Sequence, residues 1–234
     1  MNLLALDTST EFLSLAILKG DVQFTFDVNA GQTHSQIILP QIQALLDVAN
    51  IKLNELHGIA FGAGPGSFTG VRIAAGVAQG LGFGANLPVV GVCTLLALAE
   101  ASGADKVIAC LDARMGEVYH ATYAKTVNDK NTSHWQTIVE PGLYKPEAVP
   151  ALTGNNWVGA GSGWQTYAEQ LNAVYNEQLQ SSQPALLPTA CALIRLAQPI
   201  FARGEAKSAS EAMPIYIRNR VALKTSEREQ GLRL

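Results

Sequence analysis

Asp7 and Asp112 are the acids best placed to do chemistry. Asp7 closes the apolar run Leu3–Leu6 and is followed by Thr8, Ser9 and Thr10; Asp112 closes Val107–Leu111 and is followed by Ala113 and Arg114. A carboxylate at the end of a buried strand can hold a metal ion and, through it, a phosphate. A glycine loop, Gly62-Ala63-Gly64-Pro65-Gly66-Ser67, separates an apolar run from a helical stretch, where backbone N–H groups could cradle an anion. The chemistry would be phosphoryl binding or transfer. Against it, the loop lacks the Lys-Ser/Thr ending of a P-loop and is not G-x-G-x-x-G. A tight turn is the simpler reading. Thr8, Ser9 and Thr10 can likewise form a turn or a cap, and Asp112 can pair with Arg114 or hold an interlobe hinge.

Other site chemistries find less support. The four histidines, His34, His57, His120 and His134, share no helix turn and form no H-x-x-x-H or H-E-x-x-H, so no metal site is expected. Gly159-Ala160-Gly161-Ser162-Gly163 has its serine in the fourth position, whereas a nucleophile elbow needs it in the third. Cys93, Cys110 and Cys191 lie in apolar surroundings with no C-x-x-C pair, as buried thiols in a reducing cytosol would. The net charge of −3 gives no general attraction to nucleic acid or anionic membrane, and no RRM, zinc-finger or basic-helix signature is present. The N-terminus has no basic n-region. The most apolar stretch, Ile73–Val92, contains Gln79, Asn86 and Pro88, which argues against a membrane span. A cytoplasmic protein without membrane contact is expected.

The elements that must position these residues follow from periodicity. With 48% hydrophobic residues in a chain of 234, a substantial core can form. Leu3–Leu6, Leu13–Leu18 and Val22–Asp27 read as strands, with a turn at Lys19-Gly20-Asp21. Thr33 and Gln36 have capping-box spacing, and Ile38, Ile42, Leu45, Leu46 and Ala49 recur at helical spacing. Pro40 should kink that helix or set its first turn apart. The strand Gly58–Gly62, the loop, a long helix to about Gly84, the strand Pro88–Val92 and the helix Thr94–Ser102 complete a βββαβαβα lobe. Val107–Asp112 and Glu117–Tyr123 begin a second series. Lys125–Pro150 reads as a weak strand with loops, Trp157-Val158 as a strand, Trp164–Gln178 and Thr189–Arg203 as helices, and Pro214–Ile217 as extended. The matched aspartates and glycine loops suggest a duplicated unit. The expected organisation is a first lobe over 1–103, a second over 104–217 and a basic, flexible tail over 218–234. In that tail Arg218, Arg220, Lys224, Arg228 and Arg233 outnumber Glu227 and Glu229.

The helix after the glycine loop is the most informative element. Ser67 can cap it. Gly76, Gly80 and Gly84 recur every four residues, one step beyond Arg72, as a ridge without side chains. An interior glycine costs about 1 kcal/mol relative to alanine, so three cost about 3 kcal/mol. Close approach of another helix would offset that. The pattern leaves open whether that helix is internal or belongs to a partner.

Several segments together resemble the TsaB (YeaZ) family from residue 3 to about 222. They are Leu-Ala-Leu-Asp-Thr-Ser-Thr at 4–10, His-Ser-Gln at 34–36, Gly-Pro-Gly-Ser-Phe-Thr-Gly-Val-Arg-Ile at 64–73, Leu-Asp-Ala-Arg-Met-Gly-Glu-Val-Tyr at 111–119 and Pro-Ile-Tyr-Ile-Arg-Asn at 214–219. The resemblance implies a two-lobed, actin-like ATPase (ASKHA, RNase H-like) α/β fold of duplicated βββαβα units. It implies a non-catalytic paralogue of TsaD, the subunit that transfers threonylcarbamoyl to adenosine beside the anticodon of tRNAs reading codons that begin with A. The implied role is a scaffold that binds and activates TsaD directly. TsaE joins that complex, TsaC supplies the threonylcarbamoyl-adenylate, and tRNA is reached only through the complex. TsaD-type catalysis uses an H-x-x-x-H pair, which this sequence lacks.

By the same resemblance, partner contact uses the first two helices: His34, Ile38, Ile42 and Leu45 on one, Arg72, Gly76, Gly80 and Gly84 on the other. Asp7, Thr8, Ser9, Gly64, Gly66, Ser67, Asp112 and Arg114 would form a nucleotide or interface site. No intrinsic cofactor is expected, with ATP or ADP admitted only at the complex interface. The isolated chain is expected to homodimerise through the same helices. The alternatives are a weak ATPase or kinase of this fold, and a peptidase-like activity, after the family's filing with M22-like peptidases.

Overall fold

The computed structural model describes residues 1–127 and 133–218. Strands β1 (Asn2–Asp7), β2 (Phe12–Lys19), β3 (Val22–Asn29), β4 (Gly58–Gly64) and β5 (Val89–Cys93) form one sheet in the order β3-β2-β1-β4-β5. Strands β6 (Lys106–Arg114), β7 (Glu117–Val127), β8 (Ser133–Tyr144), β9 (Trp157–Ala160) and β10 (Leu179–Gln183) form a second in the order β10-β9-β6-β7-β8. In both, the first three strands run antiparallel and the last two run parallel to the first. The duplication inferred from the paired aspartates is therefore a duplication of topology.

The strand sequences fit this placement. Between Asn2 and Asp7, β1 is apolar because both its faces are covered. Leu4 and Leu6 join a core with Ile38, Ile42 and Leu45 of α1 (His34–Ala49) and Ala74 and Ala78 of α2 (Phe68–Ala85). Leu3 and Ala5 pack with Ala190, Leu193, Ile194 and Ala197 of α6 (Ala190–Ala202). Helix α3 (Thr94–Ala101) lies between the sheets and places Leu95, Leu98 and Ala99 on Val107, Ala109 and Leu111. Beyond the second sheet, α4 (Gly163–Thr166) and α5 (Ala168–Tyr175) supply Trp164, Leu171 and Tyr175 against Ile108, Cys110 and Val118. The result is five layers, alternately helix and sheet.

The expected cut at 103/104 marks where the chain passes from one sheet to the other, but α6 returns to the first sheet. After it, Lys207 pairs with Val89 and the Ile215 N–H donates to the Ala63 carbonyl at 2.7 Å. Residues 190–217 are thus split between a second-lobe sequence and a first-lobe position. The second half also lacks a helix between its third and fourth strands, where a 3-10 turn at Pro146–Ala148 stands instead. The helix expected over Trp164–Gln178 breaks at Tyr167 (φ −126°, ψ 36°) and gives way to β10. Pro40 sits inside α1 without dividing it. The capping box at Thr33 does not form, because the Thr33 hydroxyl donates to the Ala30 carbonyl at 2.7 Å. Ser67 does cap α2, accepting from the Gly70 N–H at 3.3 Å. Apart from Arg218, the expected basic tail lies outside the described residues. No described helix is long and apolar enough to cross a membrane.

Candidate functional site

The ends of β1 and β6 meet a cleft of about 1370 Å³ between the lobes, walled by Ser9, Thr10, Ser67 and Phe68 on one side and by Asp112, Arg114, Ser162 and Gln165 on the other. Asp7 is not on that wall. It is 1% exposed, and its Oδ1 accepts from the Ser9 N–H at 2.9 Å and the Ser9 hydroxyl at 2.7 Å. Oδ2 has no partner, and a Cβ on Gly62 would collide with it. Burial pushes the Asp7 carboxyl up to about 6, against the opposing pull of Ser9 and of nearby His34.

The turn after Asp7 is closed onto the start of α2. The Thr8 hydroxyl donates to the Gly70 carbonyl at 2.7 Å, and the Ser67 N–H donates to the Ser9 carbonyl at 2.7 Å. A Cβ on Gly70 would strike the Thr8 carbonyl, and one on Gly66 the Ser9 carbonyl. Glycine is needed at both positions so that two backbones can touch. Gly64, at φ +108°, passes close to the Ile215 carbonyl in the same way. The loop that could have held a phosphate uses Ser67 N–H and Gly70 N–H on the chain's own oxygens. Gly64, Gly66 and Ser67 therefore form the tight entry turn of α2, packed on Thr8 and Ser9 of the turn after β1.

The second aspartate is more open. Asp112 Oδ1 accepts from the Arg114 N–H at 2.8 Å and the Tyr167 hydroxyl at 3.3 Å, and Oδ2 pairs with the Arg114 guanidinium at 3.2 Å. The Ser162 hydroxyl accepts from the Asp112 N–H at 3.1 Å, which ties the two matched features of the second half together. The Arg114 side chain remains 85% exposed on the cleft wall. A metal–nucleotide needs a carboxylate facing the cleft. Asp7 is enclosed, and Asp112, on the cleft wall, is ion-paired with Arg114, so neither is an unpaired carboxylate facing the cleft. Among the described residues no cluster of three or more His, Cys, Asp or Glu could hold a metal ion.

The helix faces divide differently from the expectation. His34, Ile38, Ile42 and Leu45 are all buried against the first sheet, so they are core rather than partner-facing residues. The i, i+4 stripe that marked them is the stripe any sheet-covering helix needs. On the outward face of α1, Leu39 and Val48 are the exposed large apolar residues, among polar neighbours such as Gln36, Gln43 and Asp47. On α2, Arg72, Gly76, Gly80 and Gly84 are exposed. A Cβ at any of the three glycines would meet nothing within 4 Å. The internal-helix alternative fails for this ridge, since α2 buries Val71, Ala74, Ala75, Ala78 and Gly82 instead. Gly70 and Gly82 are the internal glycines of α2, the second lying against Ala209. Phe83, 63% exposed, flanks the ridge at one end. At the other end the Arg72 guanidinium lies 3.6 Å over the Phe68 ring, and its Nε–H donates to the Tyr216 hydroxyl at 2.7 Å. Phe68, Tyr167 and Tyr216 were not among the expected site residues. Phe68 sits in the Gly-Pro-Gly-Ser-Phe-Thr-Gly segment and Tyr216 in the Pro-Ile-Tyr-Ile-Arg segment, whereas Tyr167 lies in no quoted motif.

A protein-family model described as TsaD, tRNA N6-adenosine threonylcarbamoyltransferase, matches residues 28–217. The tRNA threonylcarbamoyladenosine biosynthesis protein TsaB of Escherichia coli is 40% identical, over 96% of this chain and 97% of that one. Its namesake from Haemophilus influenzae is 39% identical, over 96% of each. The solved structure of YeaZ from Pseudomonas aeruginosa is 38% identical with a TM-score of 0.79, over 92% of this chain and 99% of that one. Another structure, described as an uncharacterized protein with similarity to peptidase YeaZ from Pseudomonas aeruginosa, is 38% identical with a TM-score of 0.83, over 93% and 99%. The two-lobed, actin-like α/β fold is common to them and to this chain.

Proposed function

The chain belongs to the TsaB family of tRNA threonylcarbamoyladenosine biosynthesis proteins, and from that premise we propose that it is the non-catalytic docking subunit of a TsaD-type transferase. The observation that carries this reading is the outward ridge Gly76-Gly80-Gly84, which leaves α2 backbone bare on the protein's surface. Such a ridge lets a second helix approach closely. The partner would be of the same architecture, because the matching family model is that of TsaD itself. It can present an equivalent helix face, and a second copy of this chain can do the same when the partner is absent. TsaE would join the pair, and tRNA would be contacted through the transferase. The closed Asp7 turn and the Asp112–Arg114 pair support a subunit without chemistry of its own and without a resident cofactor.

Gly80→Arg tests the reading by co-purification with the transferase. The variant should fold as the parent does and should lose the partner; retention at the parent's level would contradict the proposal. A weak nucleotide-binding enzyme is the second reading, favoured by the hydroxyl- and arginine-walled cleft. Calorimetry of the lone chain with Mg-ATP should give no binding heat, and tight binding with turnover would favour the enzyme instead.

A further inference from the structure

Residues 213–218 have no regular secondary structure, yet they are fastened at both ends. At the first-lobe end the Ile215 N–H donates to the Ala63 carbonyl at 2.7 Å, one residue before the end of β4. The Tyr216 ring lies 6.1 Å from the Phe68 ring and 5.5 Å from the Arg72 guanidinium, and its hydroxyl accepts from Arg72 Nε–H. At the second-lobe end Arg218 pairs with Glu117 at 2.7 Å and donates to the Ala113 carbonyl at 3.0 Å. Its side chain is only 11% exposed, unlike that of Arg114. Arg218 thereby holds the β6–β7 turn, where Arg114, Met115 and Gly116 all have left-handed backbone, with φ of 62°, 59° and 75°. An exposed arginine pair is worth little, but a guanidinium half-sunk between a carboxylate and a carbonyl is a fixed clamp.

The segment therefore spans the cleft mouth, and Ile215, Tyr216 and Arg218 line it. The chain also passes between the lobes at residues 102–105, from α3 to β6, and at 184–189, from β10 to α6. We propose that residues 213–218 are an interlobe clasp that fixes the cleft width and sets the first turn of the docking helix. The Phe68–Arg72–Tyr216 stack joins the clasp to α2, so partner docking and cleft width are coupled in both directions. The clasp itself stands on contacts within this chain; only the coupling rests on the docking reading above.

The test measures the distance between spin labels on opposite cleft walls, at Gln32→Cys and Gln165→Cys, in a Cys93→Ala, Cys191→Ala background. The parent should give one narrow distribution. Arg218→Gln should broaden and lengthen it, and Tyr216→Ala should do the same from the other end. Glu117→Gln, which keeps the carbonyl contact, should give a smaller change and serves if Arg218→Gln fails to fold. Distributions identical to the parent's in the folded variants would overturn the clasp. Affinity for the transferase should fall by about 5–10-fold in Arg218→Gln, a typical coupling. An unchanged affinity beside an altered distance would overturn the coupling alone. If the parent chain does not bind the transferase, the docking reading fails while the distance measurement still decides the clasp.

Discussion

The two halves of this protein repeat one topology and use it for opposite ends. In the first half the turn after the strand-end aspartate is sealed: Asp7 is enclosed, Thr8 is bonded to the Gly70 carbonyl, and Gly66 and Gly70 admit backbone rather than ligand. In the second half the corresponding turn is open, with Arg114 exposed and Gly116 meeting nothing. The helices reverse the pattern. Helix α2 runs unbroken for 18 residues and shows a bare ridge to solvent, whereas α4 and α5 are short, parted at Tyr167, and bury Trp164 over Gly159. The half with the sealed turn is the half with the long, exposed helix. Duplicated topology thus fixes where elements lie, while close-packing glycines decide what each may touch.

The largest expected effect separates the two turns. Gly70→Ala sets a Cβ against the Thr8 backbone carbonyl and should cost about 3 kcal/mol, because neither backbone can yield cheaply. Gly116→Ala meets open space and should cost about 1 kcal/mol for its left-handed backbone. Chemical denaturation compares them, and equal losses would break the distinction between a sealed and an open turn.

The next effect is a contrast in pH dependence. Burial raises the Asp7 carboxyl from 3.8 to about 6. Between those values the native state holds more protons than the unfolded chain, so this group takes away stability as pH rises, by about 2–3 kcal/mol in all. Burial lowers His120 from 6.5 to about 4. There the native state holds fewer protons, so stability increases as pH rises through nearly the same window, by a similar amount of about 3 kcal/mol. His120 is wholly enclosed and bonded to the Tyr175 hydroxyl at 2.8 Å. The two halves should nearly cancel in the parent. Asp7→Asn should leave a stability that climbs from pH 4 to 6.5, and His120→Gln one that falls from pH 4 to 6. Melts across that range check both slopes, and parallel curves for all three proteins would refute the assignment.

A smaller effect concerns the ridge. Gly76→Ala, Gly80→Ala and Gly84→Ala should each raise stability by up to about 1 kcal/mol, since a methyl meets nothing and alanine is the better helix former. A loss of stability at any of them would mean that the ridge is packed within the chain.

The sequence displayed the first half more fully than the second, for a physical reason. β1, β2 and β4 are buried on both faces and read as continuous apolar runs, and α1 and α2 as period-3.6 stripes. β8 and β10 are edge strands whose residues are mostly exposed or half-buried, so Ser133–Tyr144 and Leu179–Gln183 carry no apolar alternation. The break at Tyr167 has no glycine or proline to mark it. The aspartates, the glycine loops and the ridge were all legible as residues. Which way they faced was not: the i, i+4 stripe of α1 suits a core or a partner equally, and only the fold turns Ile38, Ile42 and Leu45 inward.

On the proposed function, one half of the duplicated fold docks the partner and the other does not. Titration calorimetry of the TsaD-type transferase against two arginine variants tests it most directly. Gly80→Arg alters the exposed ridge of α2, and Ala173→Arg alters the exposed face of α5, its counterpart in the second half. With both variants melting as the parent does, Gly80→Arg should show no binding and Ala173→Arg should bind as the parent does. Parental affinity in Gly80→Arg, or loss in both, would contradict the account.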